Sequence, residues 1–191
     1  EALLPILAKN EIALIAPSTG AMSLHQPVNP HVFNVRATYQ VEASKAIVQL
    51  HTMGLTRIGL IYRDDSFGKD GLAGAQKGLA SVGLQPLFLE KVDRTKADFA
   101  VSIAQARKLD AQALMILEAP ATVARAVGEL RAAGVEAQVI TLSNCASRGF
   151  IDSLGSNSRG VIVTQVFPSE RARGVPIIAE LVKLANARRV D

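Results

Sequence analysis

The chain has 191 residues, 49% of them hydrophobic and 20% charged, enough for one domain or two small lobes. Aromatics are 4% with no Trp, and the net charge of +4 comes from scattered Lys and Arg, dense only at Arg171, Arg173 and Arg188-Arg189; this excludes a base-stacking platform and a continuous basic groove for nucleic acid. The single Cys145 excludes an internal disulfide and a Cys-based zinc site, His25, His31 and His51 lack metal-ligand spacing, and no apolar run is long enough to span a membrane.

"EALLPILAKN" reads as the middle of an amphipathic helix with no start signal, so the chain reads as an excerpt of a longer protein. In "IALIAPSTGA" (Ile12 to Ala21) the aliphatic part reads as a short buried strand, ended by Pro17 and Gly20. Ser18 and Thr19 then stand on a turn at the strand's carboxyl end, where open α/β sheets bind ligands. The same residues suit a plain polar loop or a helix N-cap. "HVFNVRA" (His31 to Ala37) reads as a second short strand, followed by a helix with Val41, Ala43, Ala46, Ile47, Leu50 and Met53 at helical spacing and Gly54 as its stop. "TRIGLIY" is a strand ending in "RDDSFGKDG", and a helix runs from about Gly68 to Val82 with Gly83 as its stop.

The same unit recurs. "LQPLFLEKV" is a strand, Asp98 caps the helix "FAVSIAQARKL", and "AQALMILEA" is a strand leading into "PATVARAVGELRAAG", with Pro120 in its first turn and Gly134 at its end. "AQVITLS" and "GVIVTQVF" (Gly160 to Phe167) are strands, and a Pro-containing crossover leads to the helix "VPIIAELVKLANARR". Near-continuous Ile, Leu and Val strands separated by helices imply an α/β fold, a Rossmann-like doubly wound parallel sheet covered on both faces.

No GxGxxG follows a strand, and no P-loop or GxSxG occurs. Asp64-Asp65 with Glu118 is the best candidate for divalent metal or acid/base chemistry. Adjacent residues at such a turn point in different directions, however, and Asp65-Ser66 suits a helix N-cap. Cys145 has no associated His and reads as a small half-buried residue. No cofactor, resident metal or catalytic group is expected. The strand ends carry Ser18-Thr19-Gly20, Asp64 to Phe67, Glu118-Ala119 and Ser143-Asn144, a rim that suits hydrogen bonding to a small polar ligand.

In order, "LIAPSTGA", "VFNVRATYQVEASKAIVQL", "TRIGLIYRDDSFGKDGLAGAQKGL", "ALMILEAPATVARAVGELRAAGVEAQVITLS" and "GVIVTQVFP" resemble the branched-chain amino acid (Leu/Ile/Val) binding proteins. These are type I periplasmic solute-binding proteins that deliver ligands to ABC transporters. The likeness covers essentially the whole chain. It implies two Rossmann-like lobes joined by crossing segments that close over a ligand. Residues 1–35 would be the end of the first lobe, 36–163 the second lobe, and 164–191 the hinge crossover and return helix.

The resemblance implies a small amino acid-like or carboxylate ligand and a membrane permease as partner. It implies a periplasmic or extracellular location, lipid-anchored or soluble, and neither enzymatic activity nor nucleic-acid binding. Ser18, Thr19 and the Gly20 backbone would meet the ligand's carboxylate and ammonium, and Phe67 would pack on it. Ala119 stands where those relatives carry an aromatic. Ser143 or Asn144 stands where they carry an acidic partner for the ammonium, so a ligand without an ammonium becomes credible. Two other readings stay open: the effector domain of a transcriptional regulator, which would need a helix-turn-helix upstream, and a metal-assisted enzyme using Asp64, Asp65 and Glu118.

Overall fold

Parallel strands need long crossovers, and the spacing of the apolar runs supplies them. The computed structural model describes residues 3–169 and 171–188. In chain order it has α1 (Leu4–Asn10), β1 (Leu14–Ile15), β2 (Val32–Phe33), α2 (Tyr39–Thr52), β3 (Ile58–Arg63), α3 (Ser66–Ser81) and β4 (Leu89–Val92). There follow α4 (Ala100–Lys108), β5 (Ala113–Leu117), α5 (Pro120–Ala132), β6 (Gln138–Thr141), α6 (Arg148–Leu154), β7 (Val161–Val163) and α7 (Pro176–Arg188). Single 3₁₀ turns occupy Met22–Leu24, Ser143–Cys145 and Gly155–Ser158.

β1 and β2 form a two-stranded parallel pair, with Leu14 opposite Val32. The remaining strands form a five-stranded parallel sheet in the order β4-β3-β5-β6-β7. The chain winds from β3 outward to β4, then crosses to β3's other edge for β5. Such a reversal opens a crevice beyond the carboxyl ends of the two central strands, here β3 and β5.

Those strands read as continuous apolar runs because both their faces are covered. Ile58, Leu60 and Ile61, and every residue of β5, have no solvent exposure. Ile61, Leu114, Ile116 and Val139 face Phe99, Val123, Val127 and Phe150 on one side of the sheet. Leu60, Met115, Leu117 and Ile140 face Ile47, Leu50 and Leu79 on the other. Each such burial contributes about 1.5–3 kcal/mol. On that second side α2 and α3 pack backbone to backbone. A Cβ on Gly74 would lie 2.4 Å from the Gln40 carbonyl oxygen, and one on Gly78 2.7 Å from that of Ser44.

The helix punctuation follows side-chain chemistry. Thr38 Oγ1 accepts the Val41 N–H at 3.1 Å and Asp65 Oδ1 accepts the Gly68 N–H at 3.0 Å; at α4 the N-cap is Phe99 rather than Asp98, whose Oδ1 accepts the Ala100 N–H at 2.9 Å from one residue further back. Gly54, Gly83 and Gly134, just past α2, α3 and α5, hold φ of +82°, +72° and +74°. Several sequence expectations are corrected. The strand in "IALI" is not buried: Ile12 is 54% and Ile15 72% exposed, because β1 pairs only through two residues of β2. β2 and β7 are shorter than "HVFNVRA" and "GVIVTQVF" suggested. Val41 and Met53 are each 47% exposed, off the buried face of α2. Helix α6 was not expected; Ser147 Oγ, accepting the Phe150 N–H at 3.2 Å, caps it.

Candidate functional site

The turn after β1 is held from beneath. Gly20 is buried, its carbonyl accepts the Tyr39 N–H at 2.8 Å, and a Cβ there would stand 2.8 Å from both the Ala37 oxygen and the Tyr39 nitrogen. Only glycine permits that approach. Thr19 Oγ1 accepts the Ala21 N–H at 3.2 Å, which stiffens the turn.

Across from it lie the strand ends of the five-stranded sheet. Thr19, Ala21, Met22, Phe67, Ala119 and Asn144 are among the residues enclosing a cavity of about 680 Å³, within the size range of small-molecule sites. A neighbouring cavity of about 770 Å³ is lined by Ser18, Arg36, Ser143 and Phe167 among others. Tyr39 and Asn144 line both. Of the residues singled out in the sequence, Thr19, Phe67 and Ala119 therefore meet at one cavity and Ser18 and Ser143 at the next, with Gly20 buried in the turn between them. Phe67 is fixed edge-to-face against Tyr39 at 4.9 Å, and the Arg63 guanidinium lies 5.1 Å from its ring centroid.

Against the second cavity, which Arg36 and Ser143 line, lies a buried ionic node that sequence reasoning missed. Glu42 is 5% exposed. Its Oε2 takes Arg36 Nη2 and Ser143 Oγ, each at 3.0 Å, and its Oε1 takes the Ser143 N–H and the Thr164 hydroxyl. Arg36 Nη1 donates to the Ser18 carbonyl at 3.1 Å, Nη2 also reaches Ser143 Oγ at 3.1 Å, and the guanidinium lies 4.8 Å from the Tyr39 ring centroid. The node ties together the turn after β1, the segment entering α2, and the segments leaving β6 and β7. Ser143 thus spends its hydroxyl proton on Glu42. One signal was readable: Glu42 is an acid inside the stripe Tyr39, Ala43, Ala46, Ile47 that α2 buries.

The carboxylates considered for metal chemistry face cations rather than one another. Asp64 pairs with Lys91 at 3.0 Å and Lys69 at 3.4 Å, and Asp65 with Arg63 at 2.7 Å. The Lys91 hydrogen bond, aided by Lys69, holds Asp64 below its ordinary pKa. Burial pushes Asp65 up, but the Gly68 N–H and Arg63 together bring it lower. Among the described residues no three His, Cys, Asp or Glu side chains converge as a metal set. Cys145 is buried, and burial pushes its thiol up to about 11, far from the thiolate that reacts.

Glu118 is 1% exposed; its Oε2 accepts the Ala119 N–H at 2.8 Å and lies 3.9 Å from Arg63 Nη1, while Oε1 has no hydrogen-bond partner among the described residues. Burial raises its pKa, against that N–H and Arg63. A raised acid pKa gives stability that is full below the ordinary value and is lost as pH rises through the folded value. Glu118→Gln, which cannot ionise, is expected to gain stability relative to the wild type as pH rises from about 4 to about 8. Urea titrations at the two ends check this; a pH-independent difference would show that burial does not govern the group.

The fold and the cleft define a class: a doubly wound α/β protein with a ligand-sized cleft at its switch point, closed on the far side by a turn from a separate strand pair. The periplasmic binding protein family model matches residues 1–183, and the chain belongs to that family. Among solved structures, a substrate-binding periplasmic protein from Ralstonia solanacearum is 30% identical, with a TM-score of 0.81 over 100% of this chain and 55% of its own. A branched-chain amino acid ABC transporter protein from Thermus thermophilus with bound valine is 15% identical, with a TM-score of 0.80 over 100% of this chain and 50% of its own. A fatty acid ABC transporter substrate-binding protein from Thermomonospora curvata is 17% identical, with a TM-score of 0.79 over 98% and 48%. No curated protein sequence matches. The chain spans about half the length of these solved relatives, and their overall shape is the type I periplasmic binding protein fold.

Proposed function

We propose that the chain is the ligand-binding part of an ABC transporter's solute receptor, taking a small organic carboxylate or amino acid-like ligand between two lobes. The carrying observation is that one cavity is bounded by the turn Thr19 to Leu24 on one side and by the ends of β3 and β5 on the other. The division follows the strands: 1–35 as the end of one lobe, 36–163 as the other, and 164–191 as crossover and return helix. Thr19 and the Gly20 backbone, with Ser18 at the adjoining cavity, bind the ligand's polar head, Phe67 and Ala119 flank its body, and Ser143, held by Glu42, lines the adjoining cavity where the ligand would extend. A ligand that touches both sides only when they approach shifts a hinge equilibrium towards closure. The protein is not an enzyme in this reading; it works in the periplasm or outside the cell, lipid-anchored or soluble, and hands its ligand to a membrane permease.

The donors of the lining support a carboxylate over a zwitterion. Arg63 and Lys69 line the cavity and pair with Asp65 and Asp64, but the buried Arg63 Nε–H has no acceptor among the described residues, whereas the acid of the lining, Asp70, already accepts two hydrogen bonds. Asn144 brings no charge to the place where an ammonium would need one. The fold leaves this choice open, since relatives of the same shape carry names as different as branched-chain amino acid and fatty acid transport.

The test is thermal unfolding of the full parent protein against branched-chain and other amino acids and aliphatic and aromatic carboxylates. A ligand at 100 times its dissociation constant adds about 2.7 kcal/mol, and the carboxylates are expected to raise the midpoint. Thr19→Val and Phe67→Ala are expected to abolish most of that rise while still unfolding cooperatively. A flat panel with a cooperative wild-type transition would overturn the reading.

A further inference from the structure

We propose that Asp70 is a clasp: it ties the turn bearing Thr19 to the helix bearing Phe67 and sets the width of the cleft before any ligand arrives. Met22 opens a 3₁₀ turn, so its N–H has no acceptor within that turn and needs one from outside. Asp70 Oδ2, on α3, supplies it at 2.9 Å, 48 residues away in sequence. The other carboxylate oxygen, Oδ1, accepts Gln40 Nε2 at 2.7 Å, and Gln40 Oε1 accepts Lys77 Nζ at 2.8 Å.

This order matters. Gln40 belongs to α2, whose backbone is pressed against α3 at Gly74, so one side of the carboxylate is anchored to the five-stranded body. The other side reaches across to the turn. Thr19 stiffens that turn internally and the Gly20 carbonyl, accepting the Tyr39 N–H, pins its near end to α2, so the Asp70 bond fixes the far end, at Met22, and with it the tilt of the turn that bears Thr19. Met22, Gln40 and Asp70 all line the smaller cavity, and the clasp is part of its wall. Hydrogen bonds with an ionised acceptor are about twice as strong as neutral ones.

Asp70 is a positioning residue here, and its consequence for ligand affinity rests on the receptor reading; the clasp itself does not. In the full-length protein, spin labels at Val28, 88% exposed, and at the exposed Ala80 on α3 read the separation of turn and helix without any ligand. Asp70→Ala removes the acceptor. Met22→Pro removes the donor and suits the backbone, because Ala21 at φ −58° and ψ 130° is in the conformation that precedes proline. Both are expected to broaden the distance distribution and move it to longer values, while Asp70→Asn, which keeps one acceptor, stays near the wild type. The Met22 amide in Asp70→Ala is expected to exchange at least ~10-fold faster.

Unchanged distances in either the Ala or the Pro variant overturn the clasp, the second because Asp70 would then act only through Gln40. A ligand panel that is flat while the labels still move would remove the receptor reading and leave the clasp standing. Once a carboxylate is found to bind, Asp70→Ala should raise its dissociation rate; a rate equal to the wild type would show that the clasp does not act on binding.

Discussion

Glu42→Gln is expected to lower the unfolding free energy by about 3–5 kcal/mol, the cost of breaking a buried ion pair by removing one partner. Glu42 and Arg36 expose 3% and 7% of their side chains, so water cannot replace the lost contacts. All four partners of the carboxylate are donors: Arg36, the Ser143 N–H, the Ser143 hydroxyl and the Thr164 hydroxyl. An amide nitrogen in place of either oxygen therefore sets donor against donor and leaves the guanidinium without its counter-charge. Removing both charges separates the two causes. If the ion pair alone mattered, Arg36→Met with Glu42→Met would recover nearly all the loss, since apolar replacement of such pairs is often neutral. The geometry predicts only partial recovery, because the half-buried Ser143 N–H and hydroxyl lose their acceptor, at up to about 1–3 kcal/mol each, while the Thr164 hydroxyl keeps the Thr141 carbonyl at 3.4 Å. Urea denaturation of the wild type, the single and the double variant decides it. A single-variant loss under about 1 kcal/mol would mean that the node is solvated in solution.

The node also shows where the sequence stopped speaking. β3, β5 and β6 were legible because burial on both faces leaves an uninterrupted apolar run, and Gly54, Gly83 and Gly134 because the positive φ beyond a helix end leaves few other residues. The turn "PSTGA" and the junction at Phe67 were legible by resemblance and by their place after a strand. Asp65 was legible as a cap because its partner is three residues away. What stayed hidden depends on contacts across the chain: Glu42 with Ser143 and Thr164, Asp70 with Met22, and the edge-to-face seat of Phe67 on Tyr39. Helix α6 stayed hidden for another reason: its sequence RGFIDSL buries only Phe150 and Leu154, a single pair four residues apart from which no period emerges.

The same glycine-to-alanine substitution is expected to have opposite signs in two helices. In a helix interior alanine is favoured over glycine by about 0.5–1 kcal/mol. At Gly128 in α5 that preference is free to act: the nearest atom to a new Cβ is the Asn157 side-chain nitrogen at 3.8 Å, an ordinary contact. Gly128→Ala should therefore stabilise the protein by about that amount. At Gly74 the new Cβ would lie 2.4 Å from the Gln40 carbonyl oxygen and 2.5 Å from its Cα. Those are backbone atoms, which no rotamer change can withdraw, so α3 must move away from α2. Overpacking of this kind costs about 1–3 kcal/mol and outweighs the helix preference. Gly74→Ala should thus lower the unfolding midpoint in urea while Gly128→Ala raises it, and Gly74→Leu should fall further. Because Gln40 and Asp70 stand on the two helices being forced apart, Gly74→Ala should also loosen the Met22 amide, whereas Gly128→Ala should leave its exchange unchanged. Stabilisation at both positions would mean that α2 and α3 sit farther apart than the contact at Gly74 requires, and the Gln40–Asp70 bond would then lose its fixed anchor.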